Sequence, residues 1–135
     1  GDLARRPAAG TLCDCALGTE WSTLILEGRA RDCLATTTGA IVTTRAVDDA
    51  LGHLPLLFWR VEQQAASRYL LQAVVDDANV LEAARGALVA LFGDGADVGV
   101  ERVSRFSPER SLKFRQTVSA LGSPWSTPVP LPSGR

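Results

Sequence analysis

The stretch LLFWRVEQQAASRYLLQAVV, residues 56–75, decides the fold. Its two halves, LLFWRVEQ (56–63) and SRYLLQAVV (67–75), are rich in aromatic and aliphatic side chains. In the second half Tyr69, Leu71, Ala73 and Val75 alternate with their neighbours, the period-two pattern of a strand with one buried face. The short polar link between the halves predicts antiparallel pairing.

Working outward, RAVDDALGHL (45–54) places Val47, Ala50, Leu51 and Leu54 at helical spacing, with Thr44 as the expected cap and Pro55 as the stop. Downstream, residues 77–92 predict a second helix with the apolar stripe Val80, Ala84, Leu88 and Leu91, closed by Gly93. A strand is expected over 97–103. Upstream, CLATTTGAIVTT (33–44) reads as a hairpin turning at Thr38 and Gly39, and STLILEG (22–28) as a short β-rich run. Residues 1–21 read as irregular, and the chain from 104 through Lys113 as loop. The tail GSPWSTPVPLPSGR (122–135) is proline-rich without a period and is expected to be extended or disordered.

From residue 33 the expected order is β-hairpin, α, β, β, α, β. This predicts an α+β fold: a small, mostly antiparallel sheet with helices on one face, ferredoxin-like in outline. That outline serves many functions, so activity has to be argued from particular residues.

Composition narrows the field. The chain has 135 residues, 46% of them hydrophobic, enough for one sizeable core. Its formal net charge of −1 gives no electrostatic case for nucleic acid or an anionic membrane, and no apolar run reaches the ~20 residues of a membrane span. The opening GDLARRPAAG has no apolar stretch behind its basic pair, so no signal peptide is expected. Cys13, Cys15 and Cys33 make an odd count, which fits a reducing, cytoplasmic setting better than a disulfide scaffold. The only histidine, His53, lies four residues from Asp49 in the expected helix, a spacing typical of surface side chains. One histidine and a CDC pair supply too few ligands for a tetrahedral zinc site, so no metal is expected.

Lys113, in SPERSLKFRQ (107–116), is the only lysine; every other cation among the fourteen Lys and Arg residues is arginine. An ammonium on a flexible stem is a compact point charge that can be swung onto a phosphate and withdrawn, whereas a guanidinium is wider and planar.

Four pieces gain meaning together: Gly1-Asp2-Leu3, CDCALGT (13–19), LEGRARD (26–32) and SPERSLKFR (107–115). In order and spacing they resemble the C-terminal end of an acyl-adenylating, AMP-forming ligase, most like the phenylacetate–CoA ligase branch. GDLA resembles the motif that ends the large domain, CDC the cysteine pair, GRARD the hinge and SPERSLKFR the lysine loop. The resemblance covers about residues 1–118. The chain departs from the pattern at Leu112, where a glycine usually precedes the lysine, at Arg31, in place of the first hinge aspartate, and after Cys15, where a glycine is usual.

The resemblance implies roles residue by residue. Asp2 would accept hydrogen bonds from the ribose hydroxyls of the nucleotide, and Arg29 would lie near ribose and phosphate. Asp32 would be the hinge about which the small domain turns. Gly39 would sit in the hairpin loop that enters the active site in the thioester-forming state. Lys113 would be catalytic, contacting substrate carboxylate and α-phosphate during adenylation. The implied organisation is the end of an adenylation domain plus hinge over 1–32, a C-terminal lid over 33–121 and a tail over 122–135. The chain would then be a piece of a larger enzyme whose N-terminal domain holds the remaining pockets. That enzyme would use ATP with Mg²⁺ to make an acyl-adenylate from a carboxylic acid. It would pass the acyl group to CoA or to the phosphopantetheine of an acyl carrier protein. The competing expectation is a free-standing ferredoxin-like module that binds a small ligand or regulates without catalysis.

Overall fold

The computed structural model describes residues 1–8, 24–107 and 114–124. Its centre is the hairpin expected from residues 56–75. Number the strands from the N-terminus: β1 (Asp2–Arg5), β2 (Ile25–Arg29), β3 (Leu34–Ala35), β4 (Ile41–Val42), β5 (Phe58–Ala65), β6 (Arg68–Val74), β7 (Asp97–Arg102) and β8 (Thr117–Ser119). Two α-helices, α1 (Thr44–Leu51) and α2 (Asn79–Phe92), and a 3-10 turn, Ala30–Asp32, complete the described elements.

Strands β5 and β6 pair antiparallel from Phe58↔Val74 to Ala65↔Arg68, with a register shift between Gln63 and Ala65. Strand β7 lies parallel to β6, and β8 parallel to β5, giving the sheet order β7-β6-β5-β8. Parallel neighbours need a crossover, which α2 supplies between β6 and β7. β1–β2 and β3–β4 form separate antiparallel ladders, so three of the five described pairings are antiparallel. The fold is α+β, as expected.

Alternation divides the two faces of the sheet. Trp59, Val61, Tyr69, Leu71 and Ala73 point into a core shared with Val47 and Leu51 of α1 and Leu81, Ala84, Leu88 and Phe92 of α2. Both helices therefore cover the same face. Leu34 and Val42, partners across the small hairpin, extend that core. Each valine, leucine or phenylalanine side chain among them contributes about 1.5–3 kcal/mol relative to exposure.

A buried polar knot ties the hairpin to the sheet. Gln63, 1% exposed, accepts from Ala35 N at 2.9 Å and donates to Ala35 O at 3.2 Å. The Tyr69 hydroxyl donates to Ala35 O at 2.6 Å, and its ring stacks on Phe92 with centroids 3.9 Å apart. Burial raises the Tyr69 phenol above its ordinary pKa, keeping it a donor.

Several local expectations shift. Thr43, not Thr44, caps α1: its hydroxyl accepts from Ala46 N. Helix α1 ends at Leu51, before Gly52, so His53 lies in the exposed turn beyond it, and Asp49 pairs with Arg45 instead. The buried stripe of α2 is Leu81, Ala84, Leu88 and Phe92; Val80 and Leu91 are partly buried at its margin. Strands β1 and β8 fall where irregular chain and loop-to-tail sequence stood.

Candidate functional site

The site grows from the junction of β2 and the 3-10 turn. Glycine at position 28 is needed there: its φ is +123°, and a side chain would meet Thr44 at 3.1 Å. This close approach lays β2 against the start of α1. Asp32, at the end of the turn, is 9% exposed. Its Oδ1 accepts from Arg115 Nε at 2.7 Å and lies 2.6 Å from Arg115 Nη2. Arg31 Nε approaches the same oxygen at 3.6 Å. The Asp32 carbonyl accepts from the Thr117 hydroxyl at 2.7 Å, and Thr44 Oγ1 stands 2.6 Å from Thr117 Oγ1. Thr117 is fully buried, so the Asp32 turn is pinned by side chain and main chain alike.

Two further contacts bring the β5 start into this junction. Val61 N donates to Gln116 O at 2.8 Å, and Arg60 Nε donates to Arg115 O at 3.1 Å. The Ser123 hydroxyl donates to Ala30 O at 3.2 Å, returning the chain after β8 to the same turn.

Of the residues expected at the site, Asp2 and Arg29 face each other across the β1–β2 ladder, with Arg29 Nε 3.8 Å from Asp2 Oδ1. Both are well exposed, so their mutual attraction is weak and both remain available to a ligand. A cleft of about 370 Å³ opens beside Arg29, lined by Arg29, Asp32, Thr44, Phe114 and Arg115. Beside it, Glu27 accepts from Thr43 Oγ1 at 2.9 Å and from Arg5 Nε. Burial pushes the Glu27 carboxyl up. The Thr43 hydroxyl, the Arg5 guanidinium and the Arg45 charge outweigh it and hold the carboxyl below its ordinary value.

Gly39 stands apart from this group. It has φ of +86° in an exposed loop where Thr36 N donates to Ala40 O and Gly39 N to Thr36 O. That loop docks on the end of α2, with Thr37 N donating to Phe92 O at 3.0 Å. Lys113, Leu112, Cys13, Cys15 and the tail from residue 125 lie outside the described residues.

Sequence reading assigned no role to Arg115, Thr117 or Arg60. Arg115 stood inside the quoted LKFR, and its position two residues after the lone lysine was the available signal. Arg60 stood unremarked inside the strand-like run LLFWRVEQ. Thr117 carried no local signal.

A second cleft, about 480 Å³ and mainly apolar, lies along the sheet face away from the helices, lined by Leu57, Phe58, Val74, Phe106 and Phe114. Among the described residues no group of three His, Cys, Asp or Glu side chains is placed to hold a metal, and no helix is long and apolar enough to cross a membrane. No protein-family model matches the chain, and no curated protein matches it.

Proposed function

We propose that the chain is the C-terminal lid of an AMP-forming ligase that activates a carboxylic acid, aromatic in the nearest branch, and transfers it to a thiol. One observation carries this reading. Segments picked out by motif and far apart in sequence meet at one junction: Asp2 with Arg29, and Asp32 of GRARD with Arg115 of LKFR. Surface charges brought together by chance would be solvated and scattered; here the Asp32–Arg115 pair is largely buried and has a fixed geometry.

The chemistry follows from charge. Attack of a carboxylate on an α-phosphate brings two anions together and builds charge on the phosphoryl oxygens. Arg29 at the cleft supplies one cation toward ribose and phosphate, and the Asp2 carboxylate accepts from ribose hydroxyls. Lys113 supplies the point charge during adenylation, and loss of such a group costs roughly 10²–10³ in rate. Asp32 is the pivot, and Gly39 belongs to the loop presented in the thioester-forming state, consistent with its distance from the junction. The acceptor is CoA or a carrier protein's phosphopantetheine. ATP would bring Mg²⁺ with it; among the described residues no group of three His, Cys, Asp or Glu side chains is placed to hold that ion.

The test is Lys113→Ala in the intact ligase. Pyrophosphate exchange should fall by about 10² or more, while thioester formation from supplied acyl-adenylate is less affected. Equal loss of both half-reactions, or of neither, counts against the assignment. One observation favours a second reading, a free-standing small-ligand module: the apolar cleft at Phe58, Phe106 and Phe114. Sequencing the reading frame upstream of Gly1 separates the two, since only a ligase carries several hundred further residues with a Ser/Thr/Gly-rich phosphate loop.

A further inference from the structure

Strand β7 leaves the sheet beside the end of β6. Val103 N donates to Ala73 O at 2.9 Å, and the Arg102 guanidinium donates to the Val75 and Asp76 carbonyls. Beyond that point Ser104, Arg105 and Phe106 join Phe114 and the paired strand residues Phe58 and Val74 around the apolar cleft of about 480 Å³. That volume falls within the roughly 300–1,000 Å³ of small-molecule sites. Leu57 and Phe58 are 59% and 64% exposed, so the apolar wall faces water.

Two of its rings are set in advance. Phe106 and Phe114 meet edge to face with centroids 5.1 Å apart. The Arg60 guanidinium lies over both, 5.5 Å from the centroid of Phe106 and 5.0 Å from that of Phe114. Its Nε donates to Arg115 O at 3.1 Å, and its Nη2 is buried without a hydrogen-bond partner among the described residues. A buried guanidinium N–H without an acceptor forfeits its hydration, and the ring faces offset only part of that loss. The contacts hold two aromatic walls at a fixed angle, so an incoming ligand meets a surface already ordered.

The charge at the rim decides what kind of ligand fits. Elsewhere in the chain arginines face carboxylates, as Arg68 faces Asp97 and Arg85 faces Glu82, or carbonyls, as Arg102 does. Arg105 has neither among the described residues, and no acidic residue lines the cleft. An unclaimed guanidinium beside phenylalanine rings is complementary to a ligand with a flat hydrocarbon body and one anionic group. The body stacks on or abuts the rings, and a planar carboxylate matches the guanidinium fork. The Ser104 hydroxyl, next to Arg105 at the cleft, is a further donor.

We infer that this cleft binds a small aromatic carboxylate, with its ring against Phe58, Phe106 and Phe114 and its carboxylate on Arg105. The inference rests on neither functional reading above, since a lid and a free-standing module would carry the cleft alike. It is also distinct from the junction cleft at Arg29 and Asp32, with which it shares only the Phe114 wall among the described residues.

The test titrates 2-naphthoate into the 135-residue chain and follows it by NMR, with 2-naphthamide as the neutral counterpart and decanoate as a flexible chain of the same charge. Naphthoate should shift signals of Leu57, Phe58, Val74, Ser104 and Phe106, and its ring protons should give NOEs to the Phe58 ring. Naphthamide should bind about three- to fivefold more weakly at low salt, and the gap should close as ionic strength rises. Arg105→Gln should weaken naphthoate by that factor and leave naphthamide unchanged. Phe58→Ala, a change at an exposed side chain, should weaken both about fivefold with the unfolding midpoint preserved. Decanoate should bind more weakly than naphthoate. No shift with naphthoate up to millimolar concentration overturns the site, as do shifts centred on Arg29 and Asp32 instead. Naphthoate binding that ignores Arg105→Gln overturns the assigned anion, and decanoate binding as tightly as naphthoate overturns the aromatic class. A dimer in sedimentation that Phe58→Ala dissolves gives the cleft to a second copy and overturns the ligand site. The Lys113→Ala exchange test is independent of every one of these outcomes, so failure of the cleft and failure of the ligase reading are told apart.

Discussion

Asp32 uses two different groups to hold two different elements. Its carboxylate takes the Arg115 guanidinium and its carbonyl takes the Thr117 hydroxyl, both across more than eighty residues of sequence. Because Thr117 is fully buried, its hydroxyl has no water to fall back on. Thr117→Val keeps the shape but strands the Asp32 carbonyl and the Thr44 hydroxyl. It should lower stability by about 1–3 kcal/mol in urea unfolding, with Thr117→Ser retaining much of the difference. A loss below about 0.5 kcal/mol would show that the hydroxyl is dispensable.

Glu27 carries the pH dependence at this scale. Its carboxyl is depressed below the ordinary value of 4.5 in the folded state. A depressed carboxyl stabilises the fold at pH above its unfolded value, and that contribution fades as pH falls through the folded one. Glu27→Gln should therefore be less stable than the parent at pH 7, and the gap should close as pH is lowered below 4.5. Thermal unfolding at pH 7, 5 and 3 measures it; a gap that widens in acid would contradict the sign.

At the scale of elements, α2 contains two glycines in opposite circumstances. Gly86 lies in the exposed helix interior with open space where a side chain would stand. Gly93 ends the helix at φ of +98°, with a potential Cβ 3.0 Å from Thr37 Oγ1. Gly86→Ala should raise stability by about 0.5–1 kcal/mol through helix propensity. Gly93→Ala should lower it by roughly 1–3 kcal/mol, because it strains the backbone and pushes the hairpin loop off the helix end. Chemical denaturation of the pair decides both; a stable Gly93→Ala would show that the loop is not seated through that contact.

The elements that sequence alone made legible are those with a long local period. Strands β5 and β6 alternate over seven or eight residues, and their face assignment follows directly. Helix α2 was legible in extent, and Ala84 and Leu88 hold the centre of its stripe as expected, but each end moves by one residue, since alanines and valines blur the apolar face and only packing selects Leu81 over Val80 and Phe92 over Leu91. Strand β8 spans three residues, TVS, with nothing local to announce it. It is a strand because the edge of β5 offers unpaired groups that Gln116 O and Ala120 N can satisfy.

At the scale of the whole molecule, the arrangement is a covered sheet face, an open sheet face and a junction at one end where Asp2, Arg29, Asp32 and Arg115 gather. On the proposed lid reading, the acyl pocket belongs to another domain. The 135-residue chain alone should catalyse no pyrophosphate exchange with ATP and a panel of aryl acids, and the intact ligase should do so. Exchange by the chain alone would refute the lid reading.

Sequence by itself determined that residues 56–63 pair with 67–75 and that two helices accompany them, and the family resemblance singled out Asp2, Arg29, Asp32, Gly39 and Lys113. The pairing and the helices are local properties, set by side-chain period; the five residues were singled out by what the resemblance implies. Tertiary structure alone decided that Asp32 closes on Arg115, that Gly39 lies elsewhere, and that Arg60 joins Phe106 to Phe114. The physical reason is that desolvated ion pairs and ring contacts depend on which distant groups share a buried volume, and no short window of sequence contains both partners.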